Sequence, residues 1–309
     1  MPFLPPWLWI VFTITAAAAQ TLRNAAQRDL LDGVGAAGAA YVRFLYGLPF
    51  ALLFLGVVVG LTGRHPTPIG SHALGWIFVG ALAQVLATGL MLAAMRERSF
   101  VVTIAYTKTE PLQVALFGLV FLGDRLTGPT ALSIFVATIG VLVLSWPGSG
   151  RIPSPKTSAG AVPAYRSPAI LGLCAGACFA ISAVGFRGAI LALDGPTFLV
   201  AASTALVTGL LVQTLAILLH LGLTNRPLLR AIAAEWRPSL LAGFLGAFAS
   251  QFWFLAFAVD SAARVRTLGL VEVIFAQMVS RRLFKQGASP RDAVGIAMIV
   301  TGAVILFRA

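Results

Sequence analysis

Two glutamates stand where charge is costly. Glu110 and Glu272 each lie well inside a long apolar run, and they are 162 positions apart. At 1.5 Å per helical residue each would be roughly 15 Å deep, near the centre of a hydrocarbon core about 30 Å thick. An ionised carboxylate there costs at least ~2.5–3.5 kcal/mol, so it must face a bundle interior or a watery cavity and either pair or take a proton. A carboxyl held protonated there and released as a ligand binds would couple binding to a proton gradient. The alternative is a structural ion pair in which Lys108 neutralises a glutamate. Two positions apart on a helix, Lys108 and Glu110 point to different faces, so Lys108 reaches toward another helix.

Other polar residues share these runs. Tyr106, Glu110, Gln113 and Phe117 recur on one helical face, and Gln20, Asn24 and Gln27 repeat that spacing near the N-terminus. Lipid cannot satisfy such stripes, so they face other helices or water. Gln84 and Thr88, and Gln251 beside Phe252-Trp253-Phe254, either complete a cavity wall or join helices. Trp253, deep in its run, either stacks on a ligand or fills a gap, whereas Trp7, Trp9, Trp76, Trp146 and Trp236 lie near run ends as interfacial anchors. Arg43 either snorkels or lines a cavity mouth, and Arg187 reads as a snorkeller. Pro111 cannot donate a helical hydrogen bond, so the spacing predicts a break at mid-membrane that frees the carbonyl of Thr107. The matching position in the second half is Val273, with Gly269 as the nearest irregularity, so the two breaks are not expected to be equivalent.

The elements that must hold these residues follow from composition. Of 309 residues 59% are hydrophobic and only 10% charged, with a mean hydropathy of +0.92. Soluble domains carry about 25% charged residues, so a water-soluble globule is excluded. Ten stretches approach the roughly 20 apolar residues a spanning helix needs: 5–23, 37–61, 73–95, 100–122, 129–146, 169–191, 197–221, 238–259, 263–284 and 290–307. The fold class is therefore an all-α membrane protein of ten transmembrane helices. A Pro/Gly/Ser-rich linker at 147–168 separates residues 1–146 from 169–309, five helices from five. Echoes at the same offset join the halves, including Gly140 with Gly302, Ile134 with Ile296 and Leu144 with Leu306. Because five is odd, the second half enters from the opposite face, which makes inverted repeats, an architecture of secondary transporters. An even count puts both termini on one side. Alternate connections hold 14 Lys or Arg, while the termini and the remaining connections hold five. The positive-inside rule then places the termini outside the cytoplasm.

The net charge of +12 comes mostly from residues between apolar runs, where they meet lipid headgroups, and no basic domain large enough for nucleic acid is present. Cys174 and Cys178, four apart on one face, read as small packing residues with no ligand nearby for a metal. His65, His72 and His220 lie at or near run ends, and the signatures of zinc hydrolases, P-loops, nucleophile elbows and dinucleotide folds are missing, so neither enzyme chemistry, a metal nor a cofactor is expected. The apolar stretch at the N-terminus lacks a basic lead and reads as a retained first helix.

Two halves of five helices resemble the EamA-type transporters of the drug/metabolite transporter superfamily. The resemblance rests on Leu122-Gly123-Asp124-Arg125-Leu126-Thr127, similar to the family's l-G-E-x-l-t after the fourth helix, on Gly140-Val141, on the mid-helix Pro111 and on Arg43-Phe44 opening the second helix. Asp124 replaces the usual Glu, and Lys285-Gln286-Gly287-Ala288-Ser289 departs from the motif in the second half. The resemblance implies a multi-pass protein of the inner membrane with cytoplasmic termini, against the charge count, that moves small metabolites, amino-acid-like or drug-like. The resulting expectation is a proton-coupled exporter of a small polar or zwitterionic metabolite. Glu110, Glu272 and Lys108 are its central charges; Tyr106, Gln113, Gln84, Gln251, Trp253, Gln20, Asn24 and Arg43 are its candidate wall, and Pro111 its helix break. The competing readings are a lipid-carrier flippase with a basic mouth at Arg43, and a membrane-embedded enzyme or assembly partner that transports nothing.

Overall fold

The computed structural model describes residues 5–66, 68–97, 106–145, 168–195, 197–284 and 290–308, and every element among them is helical. The first half holds α1 (Leu8–Arg28), α2 (Leu31–Leu45), α3 (Gly47–Thr62), α4 (Ser71–Glu97), α5 (Glu110–Phe117) running into a π-turn at Gly118–Leu122, and α6 (Gly128–Ser145). The second half holds α7 (Pro168–Ala192), α8 (Phe198–Thr224), α9 (Arg226–Ala234), α10 (Trp236–Val259), α11 (Ala262–Leu268), a 3-10 turn (Gly269–Val271), α12 (Glu272–Phe284) and α13 (Pro290–Phe307). The linker expected at 147–168 lies outside the described residues apart from Pro168, which opens α7.

Among the described residues, six helical segments are long and apolar enough to cross a membrane: Leu31–Thr62, Ser71–Ala94, Ala169–Ala192, Phe198–Thr224, Trp236–Val259 and Pro290–Phe307. Glu110–Leu122 and Gly128–Leu144 are apolar but shorter. α1 has 21 residues, the length to span, but is not among the six because Gln20, Arg23, Asn24, Gln27 and Arg28 dilute its hydropathy. The second run begins earlier than its apolar pattern suggests, at Leu31, and is divided at Tyr46. α9 has no counterpart in the sequence reading. It is too short and too polar on one side to register as a span, yet it buries Ile232 and keeps Arg226 and Arg230 exposed.

Small residues bring the helices together, as expected where lipid supplies no drive for helix association. α6 crosses α13 so closely that a Cβ on Gly140 would lie 2.8 Å from the carbonyl oxygen of Gly295, and one on Gly295 would lie 2.8 Å from that of Gly140. Ser133 on α6 donates to the carbonyl of Gly302 at 2.7 Å. α4 meets α7 in the same way, with Gly185 against the backbone of Gly80. α1 lies along α10, and α3 along α8. Large apolar side chains such as Leu61, Leu223, Val120 and Phe121 are exposed, as lipid-facing residues are.

Candidate functional site

The glutamates occupy matching positions in the backbone. A turn at Lys108-Thr109 precedes α5, which restarts with Glu110 as its first residue and Pro111 in its first turn. Pro111 therefore sits in the first turn of a restarted helix, where no helical donor is required, so the break expected from sequence is an interruption at Lys108-Thr109 and not a kink in a continuous helix. α12 likewise restarts at Glu272 after the 3-10 turn at Gly269–Val271. Two different local sequences, Thr-Glu-Pro and Gly-Leu-Val-Glu, thus place a carboxylate at the N-terminus of a renewed helix, where free backbone N–H groups and the helix dipole favour negative charge.

Each acid is neutralised from the other half of the chain. Arg266 on α11 grips Glu110 with a two-pronged fork, Nε to Oε1 and Nη2 to Oε2, both at 2.7 Å. Glu110 is buried at 5% exposure. The ammonium of Lys108 pairs with Oε1 of Glu272, and Gln20 on α1 donates from Nε2 to Oε2 of the same carboxylate. Trp253 on α10 donates from its indole N–H to Oε1 of Gln20 at 3.1 Å, and the Arg266 guanidinium lies 4.8 Å from a Trp253 ring centroid. Gly269 admits that ring, since a Cβ there would come within 2.5 Å of it. The circuit therefore runs Lys108, Glu272, Gln20, Trp253, Arg266, Glu110. It borders a cavity of about 10 Å³ lined by Lys108, Glu110, Arg266, Gly269, Leu270 and Glu272, room for about one water.

The remaining candidates divide. Asn24 accepts from Arg23 at 2.8 Å, and Arg43 donates to Thr88 at 3.0 Å while lying over the Phe44 ring. Gln84 and Gln251 join helices instead of the circuit: Gln84 accepts from Gln213 on α8 at 2.6 Å, and Gln251 donates to Ser203 on α8 at 2.8 Å. Gln113 donates to Thr109 and lies against Gly176 of α7. Tyr106 is exposed at 38%, and its carbonyl accepts from the Thr109 hydroxyl, so it stays apart from the cluster. Arg266 and Arg23 are the residues that sequence reasoning missed. Arg266 lies near the start of its apolar run, where a charge reads as part of the connection before it. The signal that could have found it is a cation inside the same apolar run as Glu272, six positions before it and so off its helical face.

A second ionic group ties helix ends together. Arg187 on α7 donates to the carbonyls of Phe257, at 2.7 Å, and Asp260, and its guanidinium approaches Asp124 at 3.5 Å. Asp260 pairs with Arg264 at 3.0 Å; Arg264 also donates to the carbonyl of Leu306 and lies over the Trp9 ring. Arg187 is thus a helix-end clasp rather than a snorkeller, and Trp9 is buried at 3% rather than anchored at an interface. Cys174 and Cys178 are free, and no group of His, Cys, Asp and Glu among the described residues could hold a metal ion.

No curated protein matches the chain. Among solved structures 28 chains match. One, a crystal structure of a protein, is 17% identical over 96% of this chain and 94% of that chain, with a TM-score of 0.65, a likeness of fold. Residues 7–146 match the EamA-like transporter family. That segment supplies Gln20, Arg23, Arg43, Lys108 and Glu110, half of the circuit and the arginines beside it. The match covers less than half of the chain and marks a likeness of its first half to the EamA-like transporter family, while the membrane-length apolar helices make the chain a multi-pass membrane protein.

Proposed function

We propose that the protein is a secondary transporter of a small polar or zwitterionic metabolite that works by alternating access between two inverted halves, residues 1–146 and 169–309, of five spans each. The observation that carries this reading is the cross-pairing of Glu110 with Arg266 and of Glu272 with Lys108. Both pairs bridge the halves, so any rocking of one half against the other must stretch or exchange them. Helix pairing also supports the inverted relation. α6 packs on α13, and α3 on α8, while α4 on α7 is matched by α10 on α1, so exchanging the halves leaves the pattern unchanged. Trp9 and Phe307 lie 6.3 Å apart, in keeping with both termini on one side.

In this reading the glutamates alternate between their cations and a proton or substrate ammonium. Binding one releases Lys108 or Arg266 and lets the helix break at Glu110 or Glu272 move. Coupling to protons is read from that exchange, and outward direction from the family resemblance alone. The cytoplasmic membrane is the expected location. The test is flux of labelled amino acids, and of their amides, into proteoliposomes holding only this protein, with and without an imposed pH gradient. Uptake that is saturable and driven by the gradient is expected. Leakage equal to that of protein-free vesicles for every compound would remove the transport reading and favour an assembly role.

A further inference from the structure

The buried centre carries more positive charge than it neutralises. Lys108 and Arg266 are matched by Glu272 and Glu110, but Arg23 and Arg43 have no carboxylate within 4 Å among the described residues. Arg23 is 7% exposed and, among the described residues, bonds only the neutral Asn24 oxygen. Arg43 reaches the hydroxyl of Thr88, and its Nε is buried with no partner. The two arginine stems flank Gly246 of α10: a Cβ there would lie 3.0 Å from Cβ of Arg43 and 3.4 Å from Cδ of Arg23. Unpaired charge in an apolar interior is expensive, and residues that carry it there are functional sites by default.

We infer that Arg23 and Arg43 form an anion subsite that takes the carboxylate or phosphate group of the transported molecule. The inference rests on the transport reading and sharpens its substrate class. A guanidinium presents parallel donors that match two oxygens of a carboxylate or phosphate, and Arg43 Nε is a donor without a bond. An arriving anion cancels the excess charge of the two arginines that flank Gly246, one on α1 and one on α2. In a zwitterion, the anionic end would dock on Arg23 and Arg43 and the ammonium would compete for Glu110 or Glu272. Asn24, exposed beside Arg23, stands at the approach.

Thermal unfolding of the purified protein in nanodiscs, at constant chloride, tests this with a library of small carboxylates and phosphates, each beside its amide or neutral ester. Stabilisation confined to the acids is expected, with apparent affinity weakened roughly tenfold or more in Arg23→Gln and Arg43→Gln. Arg23→Lys and Arg43→Lys keep the charge without the fork and should weaken the acids less; they stand in if a Gln variant fails to fold. No acid stabilising the wild type, equal stabilisation by amides, or acid binding unchanged in the variants each overturns the subsite. Failure of the transport reading looks different: acids would still stabilise the protein, through these arginines, while no library compound crossed proteoliposomes.

Discussion

The central circuit and the helix-end clasp use the same residue types to opposite ends. At the centre, cations meet side-chain carboxylates that begin helices, Glu110 and Glu272. At the clasp, Arg187 and Arg264 also meet backbone carbonyls at Phe257, Asp260 and Leu306, where α10 and α13 end. A helix C-terminus offers unsatisfied carbonyls and negative potential, and an arginine there satisfies both without needing to move. A carboxylate held by an ion pair can instead exchange its cation for a proton or another ammonium. The chemistry of the partner, more than the charges themselves, separates a site from a staple.

Breaking the centre should have the largest effect. Glu272→Gln leaves Lys108 without its counter-ion, and Glu110→Gln does the same to Arg266. Losing one member of a buried pair costs about 3–5 kcal/mol, whereas replacing both with apolar residues of similar volume is often neutral. Each single variant should therefore lower the thermal midpoint sharply and abolish flux. The double variant Lys108→Met with Glu272→Met should recover the midpoint and remain without flux. Recovery of both would assign the pair to structure alone, and recovery of neither would mean that Glu272 is held by more than Lys108, with Gln20 the first suspect.

The glutamates were legible because carboxylates inside apolar runs have so few affordable reasons to be there. Their matched backbone setting was not. Pro111 advertised one break, while the equivalent break before Glu272 rests on Gly269-Leu270-Val271, which by local propensity reads as ordinary helix with one glycine. Arg266 was hidden because a charge near a run boundary looks like a loop charge until its partner is known. Gln84 and Gln251 show the converse limit. A glutamine in an apolar helix announces a polar neighbour without naming it, and Gln213 and Ser203 lie more than forty positions away in sequence. Gly140 and Gly302 were visible as a repeat, but only the crossing of α6 and α13 explains them.

The clasp should break more gently. Arg187→Gln removes the charge-assisted bonds to Phe257 and Asp260 and the approach to Asp124. Hydrogen bonds to charged groups are worth about 1.5–3 kcal/mol each, partly recovered here by the amide and by water near a helix end. The apparent melting temperature should fall by several degrees. Affinity for any ligand found at the centre should stay within about twofold, because the bonds lost join helix ends and touch none of the circuit. A large loss of affinity with an unchanged melting temperature would move Arg187 from staple to site and erase the distinction between the two regions.

The smallest effect concerns pH, and only the clasp supplies it. Asp260 follows α10, outside the apolar run, and burial pushes its carboxyl above the ordinary aspartate value; Arg264, the Ser261 N–H and Arg187 oppose this shift, while Asp124 adds to it. A carboxyl that holds its proton more tightly when folded binds more protons in the folded state, so stability is greatest in acid and declines as pH rises from the usual carboxylate range through the raised value. Above that window Asp260 is charged in both states and the contribution is flat. Asp260→Asn imitates the protonated form at every pH. The difference in melting temperature, variant minus wild type, should therefore grow as pH rises through the window and then level off. Parallel profiles would mean that Arg264 and Arg187 fully offset the burial of Asp260. The clasp would then be a fixed electrostatic joint instead of one that mild acid tightens.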